Sequence, residues 1–312
     1  MKLTARPKFP MLLALLVPML YSTEALAADT FEETLTAPGA ITLDVSTGSG
    51  SIDVTSGPGR EISVIGTVKV QKKGWLFRRA PANADEIIQA VLDNPPVELD
   101  GDVLVVGKFE DRSLRRVVRI SYEIVVPADT RVHADSGSGT VTILDIDAPA
   151  KAGTGSGSIK LVNIGGDATA KTGSGTITAD GIAGSFKGST GSGSINLSQS
   201  APGDVSASTG SGSIKLSNVV GALRASAGSG RINVEGHQEG DWKLNSGSGS
   251  ITVRLPADAS FDLDAESRSG GVRLAEHFSV DGKTSKKRVD GAVNGGGPEL
   301  RVDTGSGNIS VL

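Results

Sequence analysis

The sequence contains no cysteine. That excludes a disulfide framework, thiolate chemistry and a lipid attached through cysteine. Aromatic residues are only 4% of the 312 positions. Any core must therefore be thin layers of Ile, Leu, Val and Ala, which argues against the thick core of an α/β enzyme. Only three histidines occur, His133, His237 and His277, too scattered to propose a ligand set or a Ser-His-Asp order. The net charge of −4 gives no general reason to bind nucleic acid.

One apolar run is present, "MLLALLVPML" (residues 11–20), broken by Pro18 and too short to span a bilayer. Lys2, Arg6 and Lys8 precede it, and Ala25 and Ala27 supply small residues for cleavage. This pattern predicts a secretory signal over residues 1–27, hence export to the periplasm or cell surface. No second such run follows, so no transmembrane span is expected after the signal is removed.

Glycine, by contrast, is abundant: 42 residues, about twice the usual share. The phrase G-S-G-[STRN]-[IV] begins at Gly48, Gly137, Gly155, Gly173, Gly191, Gly210, Gly228, Gly247 and Gly305. From Gly137 to Gly247 the spacings are 18, 18, 18, 19, 18 and 19. "RSGGV" (Arg268 to Val272) is a degraded copy. A flexible linker does not keep such a period.

Between the copies, apolar residues fall in columns. Ile159, Ile177, Ile195, Ile214, Ile232 and Ile251 form one, and Leu161, Ala179, Leu197, Leu216, Val234 and Val253 lie two positions on. Before each corner stand Ala168, Phe186, Val205, Leu223 and Trp242, then Ala170, Gly188, Ala207, Ala225 and Leu244. Alternation on both sides of a glycine corner means two short strands per repeat, each with one face inward. One repeat cannot bury that face alone, so neighbours must stack. The pattern predicts an all-β parallel β-solenoid, two short strands per ~18-residue coil, its seven regular coils roughly 30–35 Å long. At the corners, Gly is expected to supply positive φ and close backbone approach, with Ser between the glycines bonding corner amides. An aliphatic hexapeptide helix is excluded: steps of six from Ile159 reach Gly165 and Lys171.

A single domain over residues 28–312 is expected: irregular coils to 136, regular coils over 137–272, then a loop and terminal coil over 273–312. "NADEIIQAVLDN" (83–94) has helical spacing, with Asn83 as N-cap and Pro95 as stop, and predicts one short inserted helix. "VPADTRVHADSGSG" (126–139) returns as "LPADASFDLDAESRSG" (255–270), so the duplication is longer than the corner. The last copy ends at Leu312, which places its strand at an open end that residues 273–299 could cover.

The apolar strand ending in Val126 and Pro127, the corner over Gly137 to Val141 and the nine repeated corners together resemble the bacterial DUF4097 family, often labelled adhesins. The resemblance covers roughly residues 40–312. It implies an exported or exposed parallel β-solenoid and no catalytic residues.

The glycines do not form a phosphate loop, because the residues after each corner are strand and no Lys-Ser or Lys-Thr completes one. The calcium nonapeptide is also absent, and no cofactor is implied. Asp167, Asp204 and Asp241 share a column on alternate coils, about 10 Å apart, too far for one ion, and read as solvated charge. Two positions on, Lys151, Thr169, Lys187, Ser206, Arg224 and Lys243 form a second column on the same face, with Asp204 diagonally between Lys187 and Arg224. Lys151, Lys187, Arg224 and Lys243 are the candidate polymer-binding residues, on a flat repetitive face suited to an anionic or hydroxyl-rich polymer. The competing reading of that face is a solubilising surface. Asp145 and Asp147 form a turn pair without further catalytic company. "KKGWLFRR" (72–79) and "KTSKKR" (283–288) read as exposed loops, the first also suited to a membrane surface or partner. A hydroxyl array of Ser158, Thr176, Ser194 and Ser213 is interrupted by Arg231, which disfavours ice binding.

These residues predict an exported, non-enzymatic adhesin-like or scaffold solenoid whose partner is envelope polysaccharide or a surface protein. The alternatives are a self-assembling filament joined end to end and a carbohydrate-active β-helix enzyme.

Overall fold

The computed structural model describes residues 29–70, 84–109 and 118–312. The signal call (1–27), the "KKGWLFRR" run and the proposed N-cap Asn83 lie outside the described residues. Each repeat forms one coil of two strands, and the coils stack in register. Ile159 pairs with Ile177, then follow Ile195, Ile214, Ile232 and Ile251, all in parallel strands. On the other side Ala168, Phe186, Val205, Leu223 and Trp242 pair in the same way. These columns build two facing sheets of 13 and 14 strands among the described residues. They are called here the isoleucine sheet and the lysine sheet.

The core is the gap between the sheets. All the isoleucines of the first column are buried, as are Phe186, Leu223 and Trp242. Each such side chain contributes about 1.5–3 kcal/mol by leaving water, and none of it is gained until a neighbouring coil arrives. A third buried column, Ile146, Ile164, Ile182 and Val219, fills the edge where the chain leaves the isoleucine sheet. Gln199 takes that place in one coil and donates to the carbonyls of Gly184 (3.3 Å) and Gly203 (3.1 Å).

The corner glycines are required by crowding alone. None of them has a positive φ. A Cβ on Gly157, Gly175, Gly193 or Gly212 would instead lie 1.8–1.9 Å from the carbonyl oxygen of the equivalent glycine one coil below. Positive φ sits at the other edge of the coil, at Asp145 (57°), Asn163 (53°), Gly181 (70°) and Asn218 (58°). Asn, Asp and Gly are the residues that tolerate this conformation.

Nor is it the central Ser that satisfies the corner. In the corners from Gly137 on, a buried Ser or Thr directly before Gly-Ser-Gly does so, except before Gly228, where Ala227 stands. Thr154 Oγ1 donates to Gly139 O (2.9 Å) and accepts from Gly157 N (3.1 Å). Thr172, Thr190, Thr209, Ser246 and Thr304 repeat the donated bond. A hydroxyl ladder therefore runs along the inside of the corners.

At the first end, the Gly48 coil (strands Thr42–Thr47 and Ile52–Gly57) stacks directly on the Gly137 coil. The chain between them folds back over the outer side. Val118–Pro127 continues the isoleucine sheet in parallel, and Glu61–Val70 and Thr30–Thr36 extend it antiparallel. Val103–Val106 and Val97–Asp100 do the same for the lysine sheet. The helix spans Ala84–Asp93, with Asp85 and Glu86 in its first turn and Val91 buried; Pro95 follows its end.

The other end departs from expectation. The last strands in sequence, Glu299–Thr304 and Ile309–Val311, do not lie at an open end. They sit between the Gly247 coil (Trp242–Ser246, Ile251–Arg254) and the "RSGGV" coil (Phe261–Ser267, Val272–Leu274). The chain makes the outer coil first, turns through the antiparallel hairpin Val280–Thr284 and Arg288–Val293, and returns to fill the gap. That hairpin covers the end of the lysine sheet. "KTSKKR" forms its tip, exposed as expected. The longer duplication is structural too: Thr130 N bonds Pro127 O and Ala259 N bonds Pro256 O, both at 3.0 Å.

Candidate polymer-binding surface

Alternation sends every second residue of the lysine sheet outward. Register then converts sequence columns into straight lines parallel to the rod axis. Lys151, Thr169, Lys187, Ser206, Arg224 and Lys243 form one such line. It continues to Arg301 on the intercalated coil and backward to His133. Lys151, Lys187, Arg224 and Lys243 are all exposed. Among the described residues none of the four forms an ion pair. Only Arg301 in this line is engaged, with Asp303 at 3.1 Å, and that pairing raises its pKa further.

The neighbouring aspartates are exposed, as solvated charge is expected to be, and each also accepts a backbone hydrogen bond. Asp167 accepts from Ser185 N (2.9 Å), Asp204 from Ala222 N (3.0 Å) and Asp241 from Glu299 N (3.0 Å). Each caps the amide just before the next coil's buried residue. Among the described residues Asp204 forms no ion pair with Lys187 or Arg224.

Other candidates separate in space. His133 lies on the lysine sheet beside Lys151, His237 in a coil turn, and His277 against Phe278 at the far end, ring centres 4.2 Å apart. Among the described residues no group of three His, Asp or Glu could hold a metal ion. Asp145 is a left-handed turn residue that accepts from Asn163 Nδ2 at 2.7 Å. A polar groove of about 500 Å³ opens where Asn245, Arg268, Arg301 and Asp303 meet. It adjoins the cation line at its far end, and nothing in the sequence pattern had marked it.

The line of cations was legible because register preserves it. The hydroxyl ladder was missed, although a Thr or Ser directly before most corners was the available signal.

The family model described as Toastrack DUF4097 matches residues 104–312. The chain belongs to this family. The Toastrack match begins in the strand Val103–Val106 and takes in the corners from Gly137 to Gly305, with the whole cation line. The Gly48 coil precedes it yet stacks on it. No curated protein matches the chain. Two solved structures match the chain along most of its length. One is a putative cell adhesion protein from Clostridium sporogenes, at 13% identity and a TM-score of 0.19, covering 90% of this chain and 98% of that one. The other is a putative adhesin from Bacteroides fragilis, at 11% identity and a TM-score of 0.31, covering 91% and 97%. At such scores neither likeness carries an argument about this Toastrack chain. Among the described residues, no helix is long and apolar enough to cross a membrane.

Proposed function

We propose that this Toastrack protein is an exported, non-enzymatic, adhesin-like or scaffold module. Its lysine sheet holds an anionic or hydroxyl-rich polymer laid along the rod axis, with envelope polysaccharide as the candidate ligand. One observation carries the reading: Lys151, Lys187, Arg224 and Lys243 stand exposed and unpaired in a single line on a rigid sheet. Lys151, Lys187 and Arg224 lie on every second coil, about 9.6 Å apart, and Lys243 follows Arg224 on the next coil, about 4.8 Å away. A regular polymer with acidic groups at a similar repeat could meet several of them at once. Single exposed contacts are weak, so affinity would come from the number engaged together.

Export rests on the signal pattern of residues 1–27. The test is binding of envelope polysaccharide to the chain lacking that segment. Lys187→Gln, Arg224→Gln and Lys243→Gln combined should weaken binding at least tenfold and reduce its salt dependence. Unchanged binding by the triple variant would eliminate this face.

A further inference from the structure

The intercalated coil has an unusual position. Central coils are joined to both neighbours by short turns, 18 or 19 residues apart in sequence. The coil of Glu299–Thr304 and Ile309–Val311 instead enters a slot whose two walls both precede it in the chain. Leu300, Val302, Ile309 and Val311 are fully buried in that slot. One wall presents Trp242, Leu244, Ile251 and Val253, the other Leu263 and Ala265.

The bonds that seat it are those used everywhere in the rod. Thr304 donates to Gly249 O (2.8 Å) as Thr209 donates to Gly193 O (2.8 Å), and Ser267 closes the other side on Gly307 O (2.8 Å). Two further anchors stand at the entrance. Gln238 donates to Glu299 O (2.8 Å), and Asp241 accepts from Glu299 N (3.0 Å). None of these contacts depends on the coil coming from the same chain.

The tether is built to turn sharply. Asn294, Gly295 and Gly296 all have positive φ, at 51°, 95° and 81°, and Gly297 and Pro298 lead into the strand. Glycines permit such a bend to open. Opening relieves Asn294 of its left-handed conformation but breaks its bonds with Ser279, Ala259 and Ser260, so exchange requires warming. A reciprocal exchange between two copies would remake every seating contact, which is why exchange of an identical element is a low-cost route to dimers.

We propose that this coil is exchangeable, and that a second copy of the chain is its partner: the coil of each copy fills the slot of the other. The exchange makes a two-fold pair of rods without exposing either slot. It differs from end-to-end stacking, since the strand ending the sequence has both edges paired inside the rod.

The absence of native cysteine gives a direct test. Asn245 and Asp303 are register partners across the slot wall. Adjacent strands lie about 4.8 Å apart, within the Cα range a disulfide accepts, about 4.4–6.8 Å. Chains carrying only Asn245→Cys and chains of different tag length carrying only Asp303→Cys are mixed, warmed to just below the melting temperature and then oxidised. The mixed disulfide should rise with protein concentration and exceed both homodimers at least tenfold on a denaturing gel. The double variant, oxidised before warming, should close within single chains and stay monomeric. Mixed disulfide no more abundant than homodimers would overturn the exchange. Failure of the double variant to close would contradict the intercalated placement, and the exchange with it.

Discussion

Thr154 and Gly157 converge on one atom. The carbonyl oxygen of Gly139 accepts the Thr154 hydroxyl at 2.9 Å and lies 1.9 Å from where a Cβ on Gly157 would stand. Stacking therefore favours a hydroxyl before the corner and excludes a side chain at its last glycine. The repeated phrase records two packing conditions on a single oxygen.

The first consequence concerns the glycines themselves. Gly193→Ala drives a methyl to 1.8 Å from Gly175 O, and backbone cannot yield there without shifting a whole coil. The expected loss is about 1–3 kcal/mol, at the upper end of that range because the clash is with backbone, read from denaturant unfolding. Gly39→Ala, with nothing within 4 Å, should change stability little.

The hydroxyl ladder makes a paired prediction. Thr190→Val removes the bonds to Gly175 O (3.0 Å) and from Gly193 N (3.1 Å) at a buried site. It should cost about 1–3 kcal/mol, and Thr190→Ser should recover most of that. Ala227 occupies the same column without a hydroxyl. Ala227→Thr should add about 0.5–1.5 kcal/mol by supplying the missing rung.

At the opposite edge, Asn163 holds φ at 53°. Asn163→Ala should lose about 1–2 kcal/mol from the left-handed conformation, beyond the bond to Asp145. Asn163→Gly loses that same bond but keeps the conformation easy, so it should be the milder change. Equal losses would show that the bond, and not φ, holds the turn.

Tyr122 is 1% exposed, and its hydroxyl has no hydrogen-bond partner among the described residues. Burial pushes its pKa up. The folded chain thus keeps the phenol neutral while the unfolded chain ionises it near the ordinary value of about 10. Its contribution is intact below that pH and is lost as pH rises past it. Tyr122→Phe should leave stability at pH 7 unchanged or raised, and should flatten the alkaline fall measured by thermal unfolding between pH 9 and about 11.

Much of this was written in the chain, for definable reasons. Period-two polarity and a fixed spacing specify which of Ile195 and Lys187 faces inward, and parallel register carries those choices along the rod. The reason for the corner glycines was ambiguous, since positive φ and crowding select the same residue. The threonine rungs were hidden because a buried hydroxyl looks polar and hence exposed in a sequence. The Asp column is surface charge, as read, but its capping of amides such as Ala222 N was hidden because those partners are backbone atoms. Stack order was the least legible feature. Every coil offers the same corner, so nothing near Gly305 distinguishes a place beside Gly247 from a place at the end. The cation line could be read from sequence, but the ligand it serves could not, because lysines on a flat face specify charge and spacing without shape.

The account depends most on in-register stacking, and one distance measures it. Lys151 and Lys243 are five strand steps apart on the lysine sheet, which places them about 24 Å from each other. Spin labels on Lys151→Cys and Lys243→Cys, in a chain with no other thiol, report that separation by pulsed electron resonance. A narrow distribution centred near 24 Å is the predicted result. A broad distribution, or one centred well beyond it, would mean that the coils do not stack as described.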